Sequence, residues 1–321
     1  MTSSAPLIPR LCAFVLLVAG ASAAQLTAAD DSAIPQVGAE NNTAAGSTKG
    51  LHSWELPALT IQGAPRSDLR DDDLVGSYGQ PRWSTSRRFT EVRTYVIPAG
   101  QFDFEYWLFI SQPTKREKDD AAAAGQPKPK AEVKQQYEAE MGLGYRFQLD
   151  LYQVYVKDGS NGDNALDATK FEIRWAFADW GRIWGNPTAY VEWEQAAHGA
   201  DSAEVKLLLS DDITTRWAWA TNLVAKRKTG DNRALSAEWN SAIAYSAIDQ
   251  KLSIGAELAL AQVSELEDAA GSHRIHHYEA AVGPSIRFTP IPQAHIIVSQ
   301  LVGLNSNTSA AKTVAILGWE F

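Results

Sequence analysis

The chain has almost no cysteine. Its 321 residues contain one, Cys12, which lies in a leader that we expect to be removed. A chain without thiols forms no disulfides, so side-chain burial and backbone pairing must stabilise the mature protein.

The chain also lacks long hydrophobic runs beyond its first residues. Arg10 precedes the apolar stretch LCAFVLLVAG, and the small residues ASAA follow it. This order is typical of a secretory signal peptide, which we assign to residues 1–24 with cleavage after Ala23 or Ala24. No later segment has the roughly 20 consecutive apolar residues of a transmembrane helix, so none is predicted.

Positive charge is scarce as well. The formal net charge is −9, and loss of Arg10 with the leader makes it −10. Binding to nucleic acid depends on Lys and Arg that neutralise phosphates, so this balance argues against nucleic acid as a partner.

Residues 25–98 show little regular pattern. Up to about residue 50 they are mostly Ala, Ser, Gly and Asn, which bury too little apolar surface to fold and predict disorder. The remainder has poor periodicity and an acidic run at Asp71–Asp73. We interpret residues 25–98 as a flexible periplasmic segment.

Apolar and polar residues alternate with period two from Phe102 onward, beginning with FDFEYWLFI. This alternation predicts strands at 101–112, 132–145, 147–157, 169–178, 187–195, 203–210, 213–227, 235–246, 250–263, 276–288, 293–303 and 313–321. Long and short connections alternate between these strands, except at residues 179–187. The pattern predicts an all-β fold, a transmembrane antiparallel up-and-down β-barrel of about 12 strands over residues 99–321, with a disordered N-terminal segment.

The two faces of the strands differ in polarity. We assign the apolar face to lipid and the polar face to the lumen. A soluble β-sandwich also alternates, but Trp residues spread over the apolar faces favour a membrane barrel. The predicted lumen-lining residues are Glu138, Glu140, Asp150, Glu172, Arg174, Glu192, Glu194, Lys206, Arg216, Glu238, Glu257, Glu279 and Arg287.

Acids outnumber bases on the polar face, so the wall cannot neutralise itself. The preceding segment could supply the missing positive charge if residues 80–95 folded into the periplasmic mouth as a basic plug. The candidate plug residues are Arg82, Arg87, Arg88 and Arg93. Two interpretations stay open: an acid-lined channel that favours cationic or neutral solutes, and a lumen closed by internal ion pairs.

The last nine residues, TVAILGWEF, resemble the C-terminal β-signal of bacterial outer-membrane proteins. Leu317, Trp319 and Phe321 carry the apolar positions of that signal. The resemblance implies a Gram-negative outer membrane, contact with its lipid, and assembly by the barrel assembly machinery through the C-terminal strand.

The stretch YEAEMGLGYRFQLDLYQVY resembles the transporter barrels linked to meta-pathway phenol degradation. That family is characterised by a strand ending in Glu-x-Gly-Leu that turns tightly into a strand of Gln-x-x-Leu-Tyr type. The resemblance implies a porin-like channel for passive uptake of small solutes, aromatic ones among them.

Two other functions stay open in this reading of the sequence. One is a structural or assembly barrel with a closed lumen, and the other is an outer-membrane lipid- or peptide-processing enzyme. The sequence fixes no nucleophile–base pair, so we predict no enzyme and no catalytic residue. The segment HRIHH at residues 273–277 lacks a clear carboxylate geometry, so we predict no metal site and no cofactor.

Overall fold

A computed structural model describes residues 69–157, 164–230, 232–266 and 273–321. The predicted signal peptide, residues 1–24, and the first part of the predicted flexible segment, residues 25–68, lie outside the described residues. The described residues form a closed barrel of twelve antiparallel strands.

The barrel strands follow one another in chain order around the cylinder. They are β1 (Phe102–Ser111), β2 (Glu132–Gly144), β3 (Phe147–Lys157), β4 (Asn164–Ala176), β5 (Thr188–Ala196), β6 (Ser202–Thr214), β7 (Trp217–Lys228), β8 (Leu235–Ile248), β9 (Leu252–Leu266), β10 (Arg274–Ile291), β11 (Ala294–Gly303) and β12 (Ala311–Glu320).

Closure depends on pairing between the first and last barrel strands. Trp319 of β12 lies opposite Phe104 of β1. The backbone N–H of Phe321 donates to the carbonyl of Phe102 at 2.8 Å. Because β1 and β12 pair with each other, neither leaves an open sheet edge, which lipid would not tolerate.

The alternating pattern separates the two faces as expected. Phe171, Ile173 and Trp193 point outward and are 48%, 51% and 44% exposed, whereas Asp150 and Glu172 point inward and are fully buried. The predicted fold class, a twelve-stranded antiparallel barrel, is therefore confirmed.

Except for the connection 177–187, short turns and long connections lie at opposite ends of the barrel, which we call the turn end and the loop end. The connection from β1 to β2 contains a helix, α1 (Lys115–Ala123), where the sequence pattern predicts only a connection between two strands. Thr114 and Glu117 form a capping box at its start, which stabilises the first helical turn. Among the described residues no helix has the length and apolar character needed to span a membrane.

Some strand boundaries differ from the predicted ones. β6 continues to Thr214, and a two-residue turn separates it from β7, which begins at Trp217. The predicted start of this strand at residue 213 is therefore wrong. Alternation alone could not find the turn, because polar residues there belong equally to a strand face and to a turn.

Candidate functional site in the barrel lumen

Residues 69–101 enter the barrel at its turn end, bend inside it and return to the same end, where β1 begins. Near the entrance, the hydroxyl of Tyr78 accepts a hydrogen bond from the backbone N–H of Arg146 at 3.0 Å. At the deepest point, Glu91 forms an ion pair of 2.8 Å with Lys312, in the loop-end half of β12. We call residues 69–101 the inserted segment.

Side chains of the barrel wall satisfy the backbone of the inserted segment. The Glu257 carboxylate accepts the N–H groups of Thr90 and Glu91, at 3.0 and 2.6 Å. Asn222 accepts from the Arg93 N–H at 2.7 Å and donates to the Arg93 carbonyl at 2.9 Å. Buried backbone groups must be paired, so these contacts fix the path of a segment that has little regular structure.

The wall also leaves room for the apolar side chains of the inserted segment. Phe89 and Val92 pack in one cluster against Ala220, Ala242 and Ala244 on the inner face of β7 and β8. Small residues on that face make a recess, and the inserted segment fills it. Burial of this apolar surface stabilises the inserted position.

The one long connection at the turn end supports the base of the inserted segment. Trp180, in the connection 177–187, lies edge-on to the rings of Trp83 and Tyr95, with ring centroids 5.7 and 5.3 Å apart. Its backbone N–H donates to the carbonyl of Tyr78 at 3.1 Å. This packing gives a reason for the exception to the short-turn pattern.

Arg87 lies at the centre of the charge network. Its guanidinium is within 2.6 Å of Glu105, 3.0 Å of Glu138 and 2.9 Å of Glu140. The guanidinium also lies 4.3 Å from the ring centroid of Trp107, a cation–π contact. All three carboxylates are buried, so Arg87 compensates charge that water cannot reach.

Arg93 extends the network along the wall. Its guanidinium donates to Glu138 and to the hydroxyl of Tyr152, both at 2.6 Å. Although burial disfavours the positive charge, the neighbouring carboxylates, Glu138 first, raise the pKa of Arg93 above its ordinary value. Arg93 therefore stays charged.

Arg88 and Arg82 contact the wall closer to the turn end. Arg88 donates to the hydroxyls of Ser246 and Ser253 at 2.6 and 2.8 Å. Burial lowers the pKa of Arg88 to about 10, which still leaves it protonated at neutral pH. Arg82 forms an ion pair of 3.0 Å with Glu320 at the end of β12.

The wall contributes two arginines of its own. Arg174 forms ion pairs with Asp150, at 2.6 Å, and with Glu172. Arg287 donates to the backbone carbonyl of Arg87 at 3.0 Å. Arg174 therefore neutralises carboxylates of the wall, and Arg287 holds the inserted segment.

Two groups of three carboxylates in this network are close enough together to hold a metal ion. In each group the oxygens lie within 4.8 Å of one another, and the groups are Glu105, Glu138 and Glu140, and Glu138, Asp150 and Glu172. Arg87, Arg93 and Arg174 already place guanidinium groups against them. These carboxylates therefore serve as arginine-binding sites in this structure.

Besides the Glu91–Lys312 pair, the loop-end half of the lumen has a set of charges that come from the wall alone. Its ion pairs are short but partly exposed, with lysine as the cation in each. They are Lys170–Glu192 at 3.3 Å, Lys170–Glu194 and Lys226–Glu194 at 3.0 Å, and Lys206–Glu204 at 2.6 Å.

A cavity of about 350 Å³ lies above the tip of the inserted segment. We call this cavity the vestibule. Its lining includes Glu91, Phe109, Ser111, Glu132, Lys134, Glu238, Asn240, Glu279, Ala281, Leu301, Thr308 and Lys312. Within the network around Arg87 and Arg93, by contrast, the free volume is only about 20 Å³.

The structure places all but one of the predicted lumen-lining residues on the inward side of their strands. Glu138, Glu140, Asp150, Glu172, Arg174, Glu192, Glu257 and Arg287 are buried there, and Glu194, Lys206, Glu238 and Glu279 are partly exposed. The exception is Arg216, for which the prediction is wrong. It lies in the exposed turn before β7 and donates to the Tyr245 hydroxyl at 3.2 Å, because β7 begins at Trp217, later than the alternation indicates.

The four candidate plug residues all lie inside the barrel, and the inserted segment reaches deeper than the predicted mouth. Sequence reasoning missed neutral partners such as Tyr152, Gln148 and Asn222. Their inward position follows the same period-two pattern, so the pattern could have found them had it been read for hydrogen-bonding groups as well as for charge.

The predicted β-signal residues lie at the closing seam. Leu317 and Trp319 point outward from β12 and are 51% and 44% exposed. Phe321 follows the strand, with its ring centroid 5.5 Å from that of Phe102.

The outer surface and the interior together define the class of protein. Large apolar side chains, including many aromatic ones, cover the outside of the closed barrel, and most ionisable side chains of the strands face inward. A closed barrel with this polarity satisfies its backbone internally and is suited to hydrocarbon. The protein is an outer-membrane β-barrel protein.

Comparisons with known proteins give remote structural likenesses. No protein-family model and no curated protein matches the chain. LpxR from Salmonella typhimurium is 9% identical, with 68% of this chain and 99% of that chain covered and a TM-score of 0.39. The Acinetobacter baumannii outer membrane protein Omp33 is 9% identical, with 69% of this chain and 98% of that chain covered and a TM-score of 0.27. Pseudomonas aeruginosa OccK11 is 8% identical, with 73% of this chain and 99% of that chain covered and a TM-score of 0.25. With TM-scores this low, the likenesses carry no argument about function.

Proposed function

We propose that the protein is a channel for passive passage of small solutes, and that the inserted segment closes its turn-end half in the conformation described here. One observation carries the proposal. Two cavities lie on opposite sides of the inserted segment: the vestibule, of about 350 Å³, and one of about 270 Å³ at the turn end, lined in part by Arg82, Lys251 and Arg287. The inserted segment is what interrupts a polar path between them.

The way in which the inserted segment is held supports movement. Its contacts with the wall are mainly ion pairs and hydrogen bonds, which water can replace when the segment moves. Near its tip the apolar anchor is small, with Phe89 and Val92 against the alanines of β7 and β8, whereas Tyr78, Tyr95 and Val96 bury a second apolar cluster at its base. The tip can therefore move without exposing a large apolar surface, and movement of the base would expose more.

The nature of the solute is a further part of the proposal. Acids in excess on the wall favour cationic or neutral solutes over anions. The resemblance to transporter barrels linked to meta-pathway phenol degradation suggests an aromatic solute. Trp107 and Phe109, stacked with centroids 5.5 Å apart on the inner face of β1, are consistent with that suggestion.

A second candidate is a structural or assembly barrel with a permanently closed lumen. The buried position of Arg87 among three carboxylates favours it, because withdrawal of Arg87 would leave those charges uncompensated. We expect no enzymatic activity. Serine-directed labelling, together with lipase and protease assays, tests that expectation.

A reversible disulfide separates the channel from the closed barrel. Thr90, at the tip, and Ser299, on β11, have hydroxyl oxygens 2.6 Å apart, and the one cysteine of the sequence, Cys12, lies in the predicted signal peptide. The double variant Thr90→Cys/Ser299→Cys is expected to conduct in planar bilayers when reduced and to lose that conductance when oxidised. The two single variants serve as controls, since neither can form this disulfide.

The outcomes distinguish the candidates. Conductance that disappears on oxidation and returns with dithiothreitol supports a channel closed by the inserted segment. Absence of conductance in the wild-type protein and in the reduced variant supports the closed barrel. Equal conductance in the oxidised and reduced variant would show that solutes pass without movement of the inserted segment.

A further inference from the structure

The vestibule has the size of a small-molecule site. Its volume of about 350 Å³ falls at the lower end of the range of ligand pockets, roughly 300–1,000 Å³. The tip of the inserted segment forms its floor, where Glu91 and Lys312 neutralise each other. The remaining charges of the vestibule are therefore those of its walls.

Besides that pair, Glu132, Lys134, Glu238 and Glu279 line the vestibule. Two of these four are opposite charges that face the vestibule from different walls without neutralising each other. Lys134 is on β2 and Glu238 is on β8. Among the described residues, no carboxylate forms an ion pair with Lys134, and no Lys, Arg or His does so with Glu238. Within the described part of the chain, the hydrogen-bond donors to Glu238 are neutral groups, Ser236 at 2.9 Å and Asn240 at 3.5 Å.

These two residues differ from most of the lumen charges around them. Lys170, Lys206, Lys226 and Lys312 each have a carboxylate within 3.3 Å. Lys134 instead lies 5.6 Å from the ring centroid of Phe109. A half-buried charge without a counterion is costly, and a ligand of opposite charge would remove that cost.

The vestibule also offers apolar surface between the two charges. Phe109, Leu301 and Ala281 contribute to its lining. Phe109 presents an aromatic ring to the same space that Lys134 faces. A ligand with a short apolar part could therefore pack there while its charged groups reach the walls.

We infer that the vestibule binds a small zwitterion, whose carboxylate pairs with Lys134 and whose ammonium group pairs with Glu238. An α-amino acid with an apolar side chain has this chemistry. The inference rests on the proposed function, since it names the class of solute that the channel admits. A ligand with a single charge would satisfy one wall and leave the other uncompensated.

Three related probes test the inference on the full-length protein in detergent. Phenylalanine carries both charges, 2-phenylethylamine lacks the carboxylate, and 3-phenylpropionate lacks the ammonium group. Isothermal titration calorimetry is expected to show phenylalanine binding at least about tenfold more tightly than either analogue, because each charge-assisted contact contributes roughly that factor. Equal affinities for the three probes, or tighter binding of either single-charge analogue, would overturn the inference. This comparison uses the wild-type protein alone.

Two variants then assign the charges to the walls. Lys134→Gln is expected to remove the preference for phenylalanine over 2-phenylethylamine and to retain its preference over 3-phenylpropionate. Glu238→Gln is expected to do the reverse. Lys157→Gln, which removes an exposed lysine at the end of β3, is the matched control and should leave all three affinities unchanged. If both vestibule variants lower the three affinities equally, the assignment is wrong.

Calorimetry and conductance separate this inference from the proposed function. Phenylalanine that binds to a barrel without conductance would support the zwitterion site and contradict the channel. If the protein conducts in bilayers but binds the three probes with equal affinity in calorimetry, the channel is supported and the zwitterion site is contradicted.

Discussion

The two halves of the barrel lumen differ in how their charges are compensated. In the turn-end half, arginines of the inserted segment neutralise buried carboxylates of the wall, as Arg87 does with Glu105, Glu138 and Glu140. In the loop-end half, lysines of the wall pair with glutamates of the same wall and stay partly exposed, as in Lys226–Glu194. The same alternating strands thus form a packed interior at one end and an open vestibule at the other, because the inserted segment fills the first.

The largest expected effect is from loss of the central arginine. Arg87→Ala would leave three buried carboxylates without their shared cation, and breaking buried pairs of this kind costs about 3–5 kcal/mol. We expect the free energy of unfolding to fall by that amount in urea titrations of the protein in lipid vesicles. Arg216→Ala is the control, because that arginine is exposed in a turn, and surface changes of this kind stay within about 0.5 kcal/mol. If the two variants lower the free energy of unfolding equally, the turn-end half of the lumen is not as tightly packed as described here.

A methyl group should be enough to disturb the packed half. A Cβ at Gly318 would lie 2.1 Å from the ring of His295, which reaches across β12 to Glu105 at 3.0 Å. Overpacking of this kind typically costs about 1–3 kcal/mol, so we expect Gly318→Ala to lower the free energy of unfolding accordingly.

A double-mutant cycle identifies the cause of that loss. If the clash with His295 is responsible, Gly318→Ala should cost much less in a His295→Ala background than in the wild type. If the costs of the two substitutions are additive, the loss of stability does not come from contact between residue 318 and His295.

The smallest effect is expected in the loop-end half. Lys226→Gln removes a pair in which both side chains are partly exposed, at 28% and 21%, and pairs of this kind contribute about 0–1 kcal/mol. We expect urea titration to show a loss within that range. A loss as large as that of Arg87→Ala would mean that the vestibule is as tightly packed as the turn end.

Much of the barrel could be predicted because the alternation within each strand depends only on the residues of that strand. Alternation over ten residues places Phe171 outward and Glu172 inward without knowledge of any other strand. The excess of acids on the wall also pointed to Arg87 and its neighbours as partners, since charge balance is a property of composition.

The path of the inserted segment could not be predicted in the same way. Its bend depends on contacts such as Glu257 with the N–H groups of Thr90 and Glu91, which are distant in sequence and follow no period. The helix α1 and the turn at Arg216 were missed for a related reason. Polar residues there fit a loop, a cap or a strand face equally well until the neighbouring strands are in place.

The most direct test of the central claim, that residues 69–101 occupy the lumen, is disulfide trapping in the folded protein. Thr90→Cys/Ser299→Cys should oxidise to a disulfide detectable by mass spectrometry of the intact chain. Thr90→Cys/Val298→Cys should stay reduced, because Val298 points outward from β11 and is 42% exposed. If neither pair forms a disulfide, or if both do so equally, the inserted segment does not occupy the position described here.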